Sequence, residues 1–172
     1  MEIKKFEAVV ISGGGSNGIL SLGALHYEYE KGSYDPVNTR IYAGTSIGSV
    51  ISLLLICGYT PMEIFAEVYT TDHFFDIAKM GSVWDIVKYM GLMPITVFAE
   101  KIEALVKRKF GEIPTLLELF TRTQKILVTA VANVTKMKCE YYTYKTHPET
   151  RCVDAVMHSC NLPLIFHSIF YN

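Results

Sequence analysis

Tyr42-Ala43-Gly44-Thr45-Ser46-Ile47-Gly48-Ser49 is the stretch that decides how the chain folds. The residues leading into it, Arg40-Ile41-Tyr42-Ala43, form a short run suited to a strand. Those leading out, Ile47 to Cys57, are apolar apart from Gly48 and two serines. A strand, a sharp turn and a buried helix follow from that pattern. The turn itself reads G-x-S-x-G. Between a strand and a helix, its small glycines permit a bend that lifts the Ser46 hydroxyl out of the backbone, where an ester carbonyl can approach it. The following helix aims its N-terminal dipole and free N–H groups at the same place. The pentapeptide alone also suits an ordinary strand-to-helix turn, and its position is what gives it weight.

A similar unit lies upstream. Phe6 to Ser12 is a β-rich run ending in Gly13-Gly14-Gly15, and from Ile19 to Lys31 apolar residues recur with a helical period up to Gly32. Acyl transfer needs hydrogen-bond donors for the developing oxyanion, each worth on the order of 3 kcal/mol in the transition state. Successive backbone N–H groups of Gly13, Gly14 and Gly15 can supply them. If the two strands are parallel neighbours, both turns lie at their carboxyl ends and meet.

Gly13, Gly15 and Gly18 also satisfy G-x-G-x-x-G, the dinucleotide-binding pattern. That pattern expects an acidic residue closing the second strand. Here the second strand ends in Ala43-Gly44-Thr45-Ser46, and Asp35 lies before it beside Pro36, where a turn role fits better. A phosphate-binding P-loop fails as well, because no Gly-Lys-Ser/Thr follows the glycines. The second turn therefore decides how the first is read.

Farther along, Thr60-Pro61-Met62-Glu63 has the composition of a capped helix start, with a helix to about residue 70. The stretch from residue 71 to 94 mixes aromatics, glycines and a proline, which predicts short helices and loops and a place for a lid or acyl-chain wall. Val97 to Phe110 and Thr115 to Phe120 read as helices, Ile126 to Val131 as a strand, and Cys139 to Tyr144 as its hairpin partner. Cys152 to Ser159 is again helical, and two apolar runs, Leu164–Phe166 and Ile169–Tyr171, follow. Strands alternating with helices predict an α/β domain with a mostly parallel sheet flanked by helices.

Of the 172 residues, 50% are hydrophobic and 19% charged, enough to bury one core. A net charge of −1 gives no basic field for nucleic acid, which is not expected as a partner. Cys57, Cys139, Cys152 and Cys160 lack metal-ligand or disulfide spacing and read as reduced, buried thiols. No metal or cofactor is expected. Met1 to Lys5 show no signal-peptide pattern, and no apolar run suits a membrane span, which predicts a cytoplasmic protein. Lys107-Arg108-Lys109 reads as the solvated end of a helix.

At this point the residues resemble a known family, the patatin-like phospholipases. Val9 to Gly18 is similar to that family's glycine-rich loop and Tyr42 to Ser49 to its nucleophile elbow. Pro114–Phe120, Thr129–Asn133 and Ala155–Pro163 resemble later blocks in the same order. The resemblance implies a three-layer α/β/α fold and hydrolysis of lipid acyl esters through an acyl-enzyme, with a serine-aspartate dyad. It implies Ser46 as nucleophile and Gly13, Gly14 and Gly15 as oxyanion hole, supported by Asn17, Gly18, Gly44, Ile47 and Gly48. It further implies a lipid or phospholipid substrate and peripheral membrane contact; it does not set the oligomeric state.

Two departures stand out. Asn17 takes the place where the family usually carries arginine or lysine. No aspartate precedes glycine, although the family's catalytic aspartate lies in an Asp-Gly-Gly or Asp-Gly-Ala turn: Asp35, Asp72, Asp76, Asp85 and Asp154 are followed by Pro, His, Ile, Ile and Ala. Residues 1–172 are accordingly expected to form a single patatin-like domain, incomplete at its C-terminal end. A triad using His147, His158 or His167 ranks below the dyad. The competing reading is a non-catalytic lipid-binding or scaffold protein of the same fold that has lost its acid.

Overall fold

The computed structural model describes residues 4–69, 91–93, 96–161 and 164–166. In chain order they form β1 (Ala8–Ile11), a 3-10 turn (Gly15–Asn17), α1 (Gly18–Lys31), β2 (Ile41–Gly44), α2 (Ile47–Ile56) and α3 (Pro61–Tyr69). Then follow β3 (Gly91–Met93), α4 (Thr96–Phe110), α5 (Leu116–Thr123), β4 (Ile126–Asn133), β5 (Lys138–Tyr142), α6 (Cys152–Cys160) and β6 (Leu164–Phe166). Apart from Gly91–Met93, the expected lid region at 71–94 lies outside the described residues, as do His167 and the run Ile169–Tyr171. Gly91–Met93, expected within a loop region, is a strand that pairs in parallel with β6.

The main sheet has the order β1-β2-β4-β5, with β1, β2 and β4 parallel and β5 antiparallel to β4. In register, Ile11 lies beside Gly44 and Gly44 beside Thr129. The carboxyl ends of β1 and β2 are therefore adjacent, and the two glycine turns that leave them are neighbours. Alternation along each strand buries Val9, Ile11, Tyr42, Gly44, Leu127, Thr129 and Val131 on one face. The opposite face carries Ala8, Val10 and Ile41, of which Val10 is 78% exposed.

All ten residues of α2 are buried. This helix shares a core with the sheet residues Val9, Ile11, Tyr42 and Leu127 on one side and with Ile64 and Val68 of α3, Ile102 and Val106 of α4, and Val153 and Val156 of α6 on the others. A helix apolar all round belongs in such an interior. Its two serines are satisfied locally: Ser49 Oγ donates to the Ser46 carbonyl at 2.6 Å and Ser52 Oγ to that of Ala43 at 3.3 Å.

Local chemistry sets the helix ends. At α3, the Thr60 N–H donates to Glu63 Oε2 at 2.7 Å and the Glu63 N–H to Thr60 Oγ1 at 3.2 Å, a reciprocal capping box. Thr115 and Glu118 repeat it at α5. The basic end of α4 is engaged at the surface: Lys107 meets Glu103, Arg108 meets Glu67, and Lys109 lies over the Tyr59 ring. Cys57, Cys152 and Cys160 are buried and unbridged, whereas Cys139, expected inside, is exposed on β5. Its strand runs along the outer edge of the sheet, so a thiol there meets solvent. Among the described residues, no helix is long and apolar enough to cross a membrane.

Candidate active site

Ser46 stands between the end of β2 and the start of α2 with φ 53° and ψ −128°. A residue with a side chain held in this region carries strain of order 1–3 kcal/mol and persists only where its surroundings over-determine it. The flanking glycines are part of that constraint. A β-carbon on Gly44 would overlap the Gly48 carbonyl group, and one on Gly48 would overlap the Ile11 carbonyl oxygen. The spacing of the G-x-S-x-G motif is thus a packing requirement: α2 begins in contact with β1 and β2, and only bare backbone fits.

Hydrogen bonds fix the rest of the bend. The Thr45 N–H donates to the Ile11 carbonyl at 3.2 Å, tying the elbow to β1. The Ser46 carbonyl accepts the Ser49 N–H at 2.8 Å and the Val50 N–H at 3.3 Å. The Ser46 N–H donates at 2.8 Å to Ser159 Oγ on α6.

The glycine loop lies against this bend as its register predicts. A β-carbon on Gly13 would sit 3.3 Å from the Thr45 carbonyl oxygen and 3.4 Å from Ser46 Cβ. Beside Gly15, by contrast, there is open space within 4 Å of where a β-carbon would stand. Among the described residues no acceptor takes the N–H groups of Gly13, Gly14, Gly15 or Ile47. They are donors available to a ligand. Asn17 closes the loop through its backbone, its N–H donating to the Gly14 carbonyl at 3.0 Å, and its side chain makes no cap bond to α1. Gly18 is buried at the start of α1, and Ile47 is buried at the start of α2.

The Cys160 thiol is buried at the C-terminal end of α6, under the influence of the Ser46 and Ser49 hydroxyls. Burial pushes this thiol up to about 12, outweighing the opposite pull of the two hydroxyls. It stays protonated at neutral pH and is neither a competing thiolate nor a base. Ala155–Pro163 resembles a family block in the sequence, yet nothing there marks Ser159 as a partner of Ser46, and Cys160 reads only as a buried thiol. Helical periodicity marks the buried face of α6 without showing that one of its polar atoms meets a turn more than a hundred residues upstream.

The candidate bases among the described residues lie elsewhere. Asp35 accepts from Lys5 Nζ at 2.7 Å and from the Val37 N–H at 2.9 Å, the turn role its place beside Pro36 suggested. Asp154 pairs with Arg151 at 3.6 Å in the first turn of α6. The His147 ring stacks on Tyr142 with centroids 3.6 Å apart, and His158 meets the edge of the same tyrosine at 5.6 Å. Burial lowers the basicity of His158. Among the described residues no carboxylate or imidazole is hydrogen-bonded to Ser46, and no three His, Cys, Asp or Glu side chains gather as a metal-ligand set.

Known proteins resemble this chain in sequence and in fold. The chain is 33% identical over 172 residues to the probable lipid hydrolase 463L of Invertebrate iridescent virus 6, covering 98% of this chain and 58% of that protein. It is 24% identical over 164 residues to the uncharacterized protein R571 of Acanthamoeba polyphaga mimivirus, covering 95% of this chain and 54% of the relative. The chain therefore spans a little over half the length of these curated relatives.

Among solved structures, VipD from Legionella pneumophila superposes with a TM-score of 0.62 at 18% identity, over 96% of this chain and 43% of that one. The type III effector protein ExoU of Pseudomonas aeruginosa gives 0.60 at 14% identity, over 90% and 39%. At these identities the likeness is one of fold. The family model for patatin-like phospholipase matches residues 9–172, from β1 through the elbow to the last residue, and the chain belongs to the patatin-like phospholipase family.

Proposed function

We propose that this chain is the nucleophile-bearing part of a lipid acyl hydrolase, of phospholipase A or related carboxylester type. The observation that carries the reading is the strained serine at the elbow packed against a loop whose N–H donors have no acceptor among the described residues. Ser46 Oγ attacks the ester carbonyl carbon, and its proton passes to a base. The carbonyl oxygen, now negative, is held by N–H groups of Gly13, Gly14 and Gly15, with Ile47 as a further donor. Collapse of this intermediate expels the lipid alcohol, which takes up the proton, and leaves the acyl group on Ser46. Water then attacks the acyl-enzyme by the same route and releases the fatty acid.

The base in this reading is the aspartate of the family's dyad, and no Asp-Gly pair occurs within these 172 residues. Among the described residues, Asp35 and Asp154 are engaged elsewhere, and the chain covers 58% and 54% of two matched relatives. The 172-residue chain by itself is then expected to hydrolyse lipid esters poorly.

A fluorophosphonate probe tests the reading, because it reports an activated serine without requiring the natural lipid. The full-length protein is expected to be labelled at Ser46. A non-catalytic lipid-binding protein of the same fold gives no label there and keeps its affinity for lipid vesicles after Ser46→Ala.

A further inference from the structure

The Ser159 hydroxyl sits at the junction of three elements. It accepts the Ser46 N–H at 2.8 Å and donates to the Ala130 carbonyl of β4 at 2.6 Å. A hydroxyl has one proton to give, and here it goes to Ala130, so the lone pairs are turned toward Ser46. The bond directions are therefore set by β4 and α6 together and not by the elbow itself.

This contact differs in kind from the others at Ser46. On its carbonyl side the residue is held by the first turn of its own helix, through Ser49 and Val50. On its amide side, the acceptor is a single side chain 113 residues away. Without it the Ser46 N–H, in a half-buried position, has no acceptor among the described residues. The peptide between Thr45 and Ser46 can then rotate toward a relaxed conformation. That rotation would move the Ser46 side chain and also the Thr45 carbonyl, both of which Gly13 packs against. Nucleophile and donor loop would shift together.

We propose that Ser159 is a positioning residue for Ser46: its hydroxyl, bridging the Ser46 N–H to the Ala130 carbonyl, holds the serine in its strained conformation. The bridge has a second consequence. With its own N–H occupied, Ser46 contributes no donor to the oxyanion, which leaves that task to Gly13, Gly14, Gly15 and Ile47. This assignment rests on the acyl-hydrolase reading for its catalytic meaning, but its structural content can be measured independently.

The test compares full-length wild type with Ser159→Ala and with Ser159→Cys, which nearly preserves volume while replacing the hydroxyl by a weak donor and acceptor. Three quantities are read: the rate of fluorophosphonate labelling, the thermal midpoint, and hydrogen exchange at the Ser46 amide relative to Val50 and Ile51. Misplacement of a reacting group by about 1 Å costs on the order of a hundredfold in rate. Labelling by Ser159→Ala should accordingly fall about 10- to 100-fold, with a smaller loss in Ser159→Cys, and Ser46 exchange should accelerate while Val50 and Ile51 stay protected.

Wild-type labelling rates in both variants, or unchanged Ser46 exchange, would overturn the proposal. If Ser159→Ala does not fold, the cysteine variant decides by the same criteria. If the wild type is not labelled at all, the acyl-hydrolase reading fails, and the exchange measurement still decides whether Ser159 holds the elbow.

Discussion

Ser46 is held in a conformation that its own chemistry disfavours, and every neighbour contributes a distinct restraint. Gly44 and Gly48 remove the side chains that would collide, Ile11 anchors Thr45, and Ser159 takes the amide. Gly48→Ala is the most direct probe of this packing. The new methyl group meets the backbone of β1, which cannot move aside without disturbing the sheet. Overpacking of this kind costs about 1–3 kcal/mol. Urea unfolding of the variant should show that loss, together with reduced probe labelling at Ser46.

Asp35 offers a residue-scale test away from the site. The Lys5 ammonium, the Val37 N–H and the Asn38 side chain hold its carboxyl at about 2, below the usual carboxylate range. Because the folded value is depressed, its contribution is fully present above the unfolded value of about 3.9 and is lost as pH falls through about 2. Asp35→Asn should therefore lower the thermal midpoint at pH 7, and the difference from wild type should vanish near pH 2.

Among the elements, α5 gives the cleanest case for local sequence control. Thr115 and Glu118 form both halves of a capping box at its start, and Gln124 closes it in a left-handed conformation. Thr115→Ala removes the side-chain acceptor for the Glu118 N–H and should cost about 1 kcal/mol in urea unfolding. The same box at Thr60 and Glu63 made the start of α3 readable from four residues.

Strand-to-helix punctuation was equally readable: β1, α1, β2 and α2 begin and end within two residues of where glycines and periodicity place them, because bends of this kind demand particular residue types. The end of α5 was harder. Its helix runs to Thr123, beyond the expected Phe120, since Thr121 and Thr123 return their hydroxyls to the Leu117 and Leu119 carbonyls and so remain helical. Gly91–Met93 shows a different limit. Three residues carry too little alternation to announce a strand, and its partner β6 lies more than seventy residues away.

At the scale of the molecule, the sheet order brings together what the sequence keeps apart. β1 beside β2 joins the glycine loop to the elbow, a juxtaposition inferable from parallel pairing of neighbouring strands. β4 beside β2 brings α6 over the elbow and delivers Ser159. Nothing in the local pattern of α6 signals that delivery, which depends on the placement of three elements at once. The bend at Ser46 and the glycine loop beside it were therefore visible in the sequence, while the Ser159 hydroxyl that meets the Ser46 amide was not.

Ser46 is proposed above as the activated nucleophile of a lipid acyl hydrolase. This role is tested most directly by treating the full-length protein with a fluorophosphonate and mapping the modified peptide by mass spectrometry. A single adduct on Ser46, abolished in Ser46→Ala, is the expected result. An unlabelled Ser46 in the folded wild-type protein, or an adduct that persists in Ser46→Ala, would contradict it.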